Sequence, residues 1–224
     1  MKLSPRTTAT FTLGLLTAAV LAGCATTAPS EQAPSPAVSV DRQAAGLMCD
    51  PAGIGDCGIG DIGPGGGVVF YDAGSQQPWG RYLEVAPAGW NGGGEDPTAK
   101  WCDKDDYKEY DDDKLIPIPE EETYQIGSGA TNTRIMLASC PSGAAVRAAA
   151  YRGGGKDDWF LPSLGELREL SKEKSRVGVF GQDCKYWSSS QYNQWAADYL
   201  IIKHGRGAED NKFKNFCVRP IRAF

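Results

Sequence analysis

Seven cysteines and a single histidine are the side chains best able to do chemistry in this 224-residue chain. A thiolate can act as nucleophile or metal ligand, and two thiols can close a disulfide. His204 is the one side chain whose ordinary pKa lies near neutrality, and it stands among basic residues. No Gly-x-Ser-x-Gly or His-Glu-x-x-His motif accompanies it, so neither a serine hydrolase nor a zinc protease has support in the sequence. Gly58-Ile-Gly-Asp-Ile-Gly63 matches a dinucleotide fingerprint by letter. That motif needs a strand before it and a helix after it, whereas here a cysteine loop precedes and Pro64-Gly-Gly-Gly67 follows, which reads as a turn. Residues 95–122 hold twelve acids and four lysines, with the densest run at Asp103–Asp113. Clustered carboxylates suit calcium, but an EF-hand counted from Asp103 needs glycine where Lys108 stands, so the segment reads as a solvated acidic insertion. No metal or cofactor is expected.

The start of the chain reads as an address. Lys2 and Arg6 precede a mostly apolar run from Phe11 to Leu21, the charge and length pattern of a secretory signal. The run ends Leu21-Ala22-Gly23-Cys24, which resembles the lipobox of bacterial lipoproteins. The resemblance implies cleavage before Cys24, acylation of its thiol and amine, and stable membrane anchoring, since each buried methylene contributes about 0.8 kcal/mol. Ala25 rather than an acid follows the cysteine, which favours the outer membrane or cell surface over inner-membrane retention. No apolar run reaches the ~18 residues of a spanning helix.

Cleavage after residue 23 leaves 21 basic against 28 acidic side chains, a net charge of −7, which argues against a general grip on nucleic acid. It also leaves six cysteines besides Cys24, an even number that in an exported chain argues for disulfides. Six cysteines allow 15 pairings. The simplest expectation is Cys49 with Cys57, Cys102 with Cys140, and Cys184 with Cys217. Residues 24–46 are rich in Ala, Thr, Pro and Ser without an aromatic residue, so they read as an extended tether of up to ~70 Å, and the folded domain as residues 47–224.

The elements that must position these groups read as α+β. Val68–Tyr71 and Tyr82–Val85 suggest a hairpin with a loose loop around Pro78 and Trp79, the first strand ending at Asp72-Ala-Gly74. Thr131 or Asn132 can cap a helix, and Ser142 a second piece after Pro141. Ser163-Leu-Gly-Glu166 is a capping box, followed by the apolar stripe Leu164, Leu167 and Leu170 and a stop at Gly178. Strands are expected at Tyr186–Ser190, Tyr199–Ile202 and Phe216–Arg219. Trp159, Leu161 and Trp187 read as core.

Six phrases carry a wider resemblance. They are Gly60-Asp-Ile-Gly-Pro-Gly-Gly-Gly-Val-Val-Phe-Tyr71, Leu83-Glu-Val-Ala-Pro87, Ile126-Gly-Ser-Gly-Ala-Thr-Asn-Thr133, Asp158-Trp-Phe-Leu-Pro-Ser163 with Glu166-Leu167, Tyr186-Trp-Ser-Ser-Ser190, and Val218-Arg-Pro-Ile-Arg-Ala-Phe224. In this order they resemble the bacterial domain at the C-terminus of Legionella collagen-like adhesins. The resemblance implies a C-type-lectin-like fold, with two helices and small antiparallel sheets stapled by disulfides, related to the formylglycine-generating-enzyme fold. It also implies a binding role outside the cytoplasm rather than catalysis. Variable proteins of diversity-generating retroelements are similar in fold and in their closing residues. The enzymatic alternative is an oxidase of the formylglycine-generating type, for which Cys184 and Cys217 are the candidate thiols.

For binding, Gln191-Tyr-Asn-Gln-Trp195 is dense in amphipathic groups that offer large contact area at low entropic cost. From Tyr199 to Phe224 there are six Lys or Arg and two acids. A ligand face is therefore expected from segments 191–198 and 203–215, read as loops on a scaffold of terminal strands. Tyr192 and Trp195 are the anchors, and Asn193, Asp198, His204, Arg206 and Lys212 set polarity. An acidic extracellular protein or glycan is the expected partner.

Overall fold

The computed structural model describes residues 48–49, 56–103, 117–118 and 123–224, all within the unit Val40–Phe224. The expected signal, Cys24, the tether and most of the acidic insertion lie outside the described residues. In chain order the elements are β1 (Val68–Gln77), β2 (Gly80–Val85), β3 (Thr98–Ala99), α1 (Gly129–Ser139), α2 (Ala144–Ala149), α3 (Leu164–Lys172), α4 (Lys174–Val177), β4 (Lys185–Gln191), β5 (Ala196–Ile201), β6 (Arg206–Asn211), β7 (Phe216–Cys217) and β8 (Ile221–Ala223).

The fold is mixed α+β, with two small sheets. The first has the order β1-β2-β8, all antiparallel. β1 runs on through Asp72-Ala-Gly74 to Gln77 with a register shift, so the hairpin tip is the tight pair Pro78-Trp79 rather than a loose loop. The second sheet has the order β3-β7-β4-β5-β6. It is antiparallel except where β4 meets β7 in parallel at Tyr186 and Cys217. Two expectations are corrected here: the α-helices number four among the described residues, α2 and α4 being short, besides a 3-10 turn at Gly153–Gly155, and one strand pair is parallel.

The helix boundaries follow their capping chemistry. Ser163 accepts from the Glu166 N–H at 3.2 Å while Glu166 Oε2 accepts from the Ser163 N–H at 2.7 Å, closing the expected capping box. Its stripe Leu164, Leu167 and Leu170 is buried together with Phe70, Leu83, Tyr186, Leu200 and Ile221 between the sheets and α3. α1 starts one turn earlier than expected, after Ser128, because Asn132 and Thr133 are buried inside it rather than capping it. Asn132 donates to Thr123 O at 2.9 Å, and Thr133 Oγ1 bridges both the N–H and the carbonyl of Leu161. Trp101, Met136, Leu161, Trp187 and the α2 alanines form the second half of the core. Burying each large apolar side chain contributes about 1.5–3 kcal/mol.

All three expected disulfides are present: Cys49–Cys57, Cys102–Cys140 and Cys184–Cys217. The last ties the start of β4 to β7, and the second ties the chain before the acidic insertion to the end of α1.

Four of the six phrases that carry the family resemblance converge on one largely buried framework. Glu84 is fully buried and accepts from the N–H groups of Gly65 and Gly67, both at 2.9 Å, and from Arg222 at 2.9 Å. Arg222 also pairs with Asp158. A side chain at Gly65 would place a Cβ 2.6 Å from Trp159 and 2.7 Å from Glu84, and one at Gly67 would lie 2.6 Å from Val85 O, so glycine is required there by close approach. These residues tie the glycine turn before β1 to β2, β8 and the chain before α3.

Candidate functional site

The turn joining β4 to β5 is built by Asn193, whose Oδ1 accepts from the N–H groups of Trp195 and Ala196, both at 2.8 Å. This local turn, common for asparagine, presents Tyr192 outward at 55% exposure and leaves Asn193, Gln194 and Trp195 half-buried. The turn after β6 lies against it, because Ala196 pairs with Asn211 and the Lys212 N–H donates to Trp195 O at 2.9 Å. That second turn presents Phe213 at 45% exposure, with Lys214 reaching over the Phe213 ring.

Beneath the two turns lies Lys212, with no solvent exposure. Its Nζ donates to Gln191 Oε1 at 2.6 Å and Gln194 O at 3.2 Å, and stands 4.5 Å from the centroid of the Trp101 ring. A charge-assisted hydrogen bond and a desolvated cation–π contact together fix both turns to the core at Trp101. Trp101 is in turn anchored by its indole donating to Ser188 O at 2.7 Å and by the Cys102–Cys140 bridge beside it. The expectation that Lys212 lies in a solvent-facing loop is thus corrected: the aromatic face of Trp101 and two amide oxygens offset the cost of taking its ammonium out of water.

The remaining candidates do not gather at this end. Asp198 lies in β5 at 7% exposure; burial pushes its carboxyl up to about 6, and its Oδ2 has no hydrogen-bond partner. His204 and Arg206 are exposed at the opposite end of β5. His204 stands 3.7 Å from Asp183. A six-residue strand separates the two ends by roughly 17–20 Å, so one small ligand cannot touch Tyr192 and Arg206 together. Segment 203–215 is not a continuous loop: Arg206–Asn211 is β6, paired with β5 from Ala196↔Asn211 to Ile201↔Arg206.

Half of the basic side chains of the terminal segment, Lys212, Arg219 and Arg222, are buried, while Lys203, Arg206 and Lys214 are exposed. Arg219 and Asp96 form a bidentate pair with both contacts at 2.6 Å and side-chain exposures of 3% and 2%. Asp96 further accepts from Tyr186 Oη at 2.7 Å and Trp90 Nε1 at 3.1 Å, and burial beside this carboxylate pushes the Tyr186 phenol up. With Lys212 and Arg222 also buried, Lys214 is the basic side chain of this terminal segment left exposed on the Phe213 turn. Phe213 itself was missed in the sequence because its neighbours are charged and no apolar periodicity marks it.

A cavity of about 530 Å³ lies away from these turns. It is lined by Phe180, Val179, Thr98, the Cys184–Cys217 bridge and the Asp96–Arg219 pair. Both cysteines are engaged in the disulfide, so the wall offers no thiolate. No group of three or more His, Cys, Asp or Glu that could hold a metal ion occurs among the described residues. Nor is any described helix long and apolar enough to cross a membrane. No family model matches the chain, and no curated protein matches it.

Proposed function

We propose that this chain is a lipid-anchored binding protein of the bacterial surface. In this reading Cys24 carries the acyl chains, and an adhesin-like, C-type-lectin-like domain recognises an extracellular protein or glycan. The observation that carries it is the pair of adjacent turns bearing Tyr192 and Phe213. Large amphipathic rings stand exposed there on short, hydrogen-bonded loops, braced from below by a fully buried lysine. Aromatic anchors on a preorganised frame bind by area at small entropic cost. Trp195 and Gln194 complete the face, with Asn193 shaping it. Lys214 supplies a positive rim that favours an acidic partner. The fold assignment is supported by the way four of the six distant phrases assemble into the single framework of Gly65, Gly67, Glu84, Asp158 and Arg222. A frame separate from the contact turns also suits a diversified variable protein, since the turns can change while the framework stays.

Residues 47–224 displayed to a glycan and protein array give a direct test. Changing Tyr192 and Phe213 to alanine together should abolish binding with the melting temperature nearly unchanged. Binding that survives this change but disappears on deletion of residues 104–113 would move the site to the acidic insertion, whose described flanks Trp101 and Tyr124 adjoin the same turns.

The second reading, an exported oxidase of the formylglycine-generating type, is favoured by one observation: the Cys184–Cys217 bridge forms part of a ligand-sized cavity. Thiol titration of the exported protein separates the two, because an oxidase needs two reactive thiols at 184 and 217.

A further inference from the structure

β6 is the outer strand of the five-stranded sheet, and its far edge has no neighbour among the described residues. Its six residues pair with β5 without a bulge. In an antiparallel ladder alternate residues turn their polar backbone groups to opposite sides. The Lys212 N–H points to Trp195 O, so Asp210, Ala208 and Arg206 also point towards β5. Gly207, Glu209 and Asn211 therefore point outward. Asn211 is already used, its N–H by Asp210 Oδ1 at 2.8 Å and its carbonyl by the Lys214 N–H at 2.9 Å. Gly207 and Glu209 are left with two N–H groups and two carbonyls that have no partner among the described residues. Bare edges of this kind are templates for another strand, and proteins usually block them with lysine, proline, a bulge or a cover. β6 carries charges at Arg206, Glu209 and Asp210 but no lysine, proline or bulge, and no strand covers it among the described residues; glycine and alanine at its middle let a second backbone approach.

We propose that this edge pairs with the same edge of a second copy of the chain, antiparallel, about a two-fold axis at Ala208. Outward residues face outward residues wherever the axis passes through a residue; Arg206 and Asp210 as centres would each oppose two like charges and Asn211 is already used, which leaves Gly207, Ala208 and Glu209. Centring on Glu209 opposes two like charges, which is unfavourable. Centring on Gly207 leaves only that pair within the strand. Centring on Ala208 sets each Gly207 against the partner's Glu209, giving four backbone hydrogen bonds. The same register sets each Arg206 against the partner's Asp210. Arg206 is exposed and has no ion pair among the described residues, while Asp210 already holds Lys185 at 3.1 Å on that face. Two charge networks would thus run across the axis as Lys185–Asp210–Arg206. The contact is small and belongs to the weak, transient class of interface. It is independent of the ligand reading, since it uses neither the Tyr192 nor the Phe213 turn.

The register predicts a covalent trap. In the centred pair the two Ala208 Cα atoms stand about 4.5 Å apart, within the span a disulfide bridges. The full chain carrying Ala208→Cys, made in its exporting host, should give a disulfide-linked homodimer on a non-reducing gel. Lys203→Cys, exposed beyond the strand, should not. Glu209→Pro added to Ala208→Cys removes an outward N–H without touching the β5 ladder and should abolish the dimer. Arg206→Asp added to Ala208→Cys should cut it about tenfold, from two lost pairs and two new repulsions. Co-expressing that variant with Asp210→Arg/Ala208→Cys should restore a mixed dimer, in which every cross-axis pair is opposite in charge. Absence of a dimer, equal cross-linking in the Glu209→Pro background, failure of the charge-swapped rescue, or an adduct of a different protein at residue 208 would each overturn the proposal.

Discussion

Removing the Asp96 carboxylate tests whether the terminal arginines serve structure or surface recognition. In the folded domain this side chain is 2% exposed and accepts four hydrogen bonds: two from Arg219, one from Tyr186 and one from Trp90. Asp96→Ala leaves the Arg219 guanidinium buried at 3% exposure, with the carbonyls of Ala86 and Val179, each at 3.1 Å, and the face of Phe180 at 4.8 Å, but no counter-charge. Stranding one member of a buried pair costs about 3–5 kcal/mol. A domain of this size loses roughly 2–4 °C of melting temperature per kcal/mol, so the variant should melt about 10 °C lower. Arg219→Met should be similarly damaging, because it strands the carboxylate. The double variant Asp96→Ala/Arg219→Met removes both charges and should lose much less than the two single losses added together. Urea unfolding of the four proteins closes the cycle. Losses below about 1 kcal/mol in the single variants, or simple additivity in the double, would refute the argument that this pair is a buried structural unit.

Three further outcomes follow from other parts of the molecule. Burial raises the fully buried Glu166 carboxyl from its ordinary 4.5 to about 7, overcoming three backbone donors. A folded pKa above the unfolded one means stability that is complete below pH 4.5 and is lost as pH rises through 7, by about 3 kcal/mol; Glu166→Gln should flatten unfolding curves across that window, and an unchanged slope would count against it. Replacing Cys102 and Cys140 by serine opens a loop of 38 residues and should cost about 4 kcal/mol by chain entropy, measured by denaturation, with non-reducing peptide maps of the native chain showing only the three pairs described. Mass spectrometry of membrane-extracted protein should find the mature chain starting at an acylated Cys24, and a soluble product starting elsewhere would remove the anchor from the proposal.

Some of this architecture was open to inspection in the sequence, and the reasons differ by element. The capping box of α3 and its leucine stripe were readable because local hydrogen bonding and packing demand the same residues. The strands β4 and β5 showed their β-branched and aromatic content, and Trp159, Leu161 and Trp187 their place in the core. β6 left no such trace: Arg-Gly-Ala-Glu-Asp-Asn is polar throughout and is exposed over its first four residues. It is a strand because the turn ending at Gly205, with φ of +65°, folds it back along β5, whose backbone it completes. Two of the proposed contact residues, Tyr192 and Trp195, stood out by type, whereas Phe213 and the burial of Lys212 depend on which turns tertiary pairing brings together. The charge count misled for the same reason. Arg219 and Arg222 look like surface cations until Asp96 and Glu84, more than a hundred residues earlier, are placed against them.

That long separation shapes how the chain reaches its native state. Glu84 is made 138 residues before Arg222, and β2 waits just as long for β8. Until then the first hairpin has two strands, which are marginal alone, and a carboxylate with nothing to neutralise it. A nascent chain therefore has no stable early fragment to lock in, and its contacts are of the non-local kind that form slowly. Passage through a narrow translocation pore requires an unfolded thread, so under the export proposed above a domain that closes only once its distal strand has emerged would stay competent for transport throughout its synthesis.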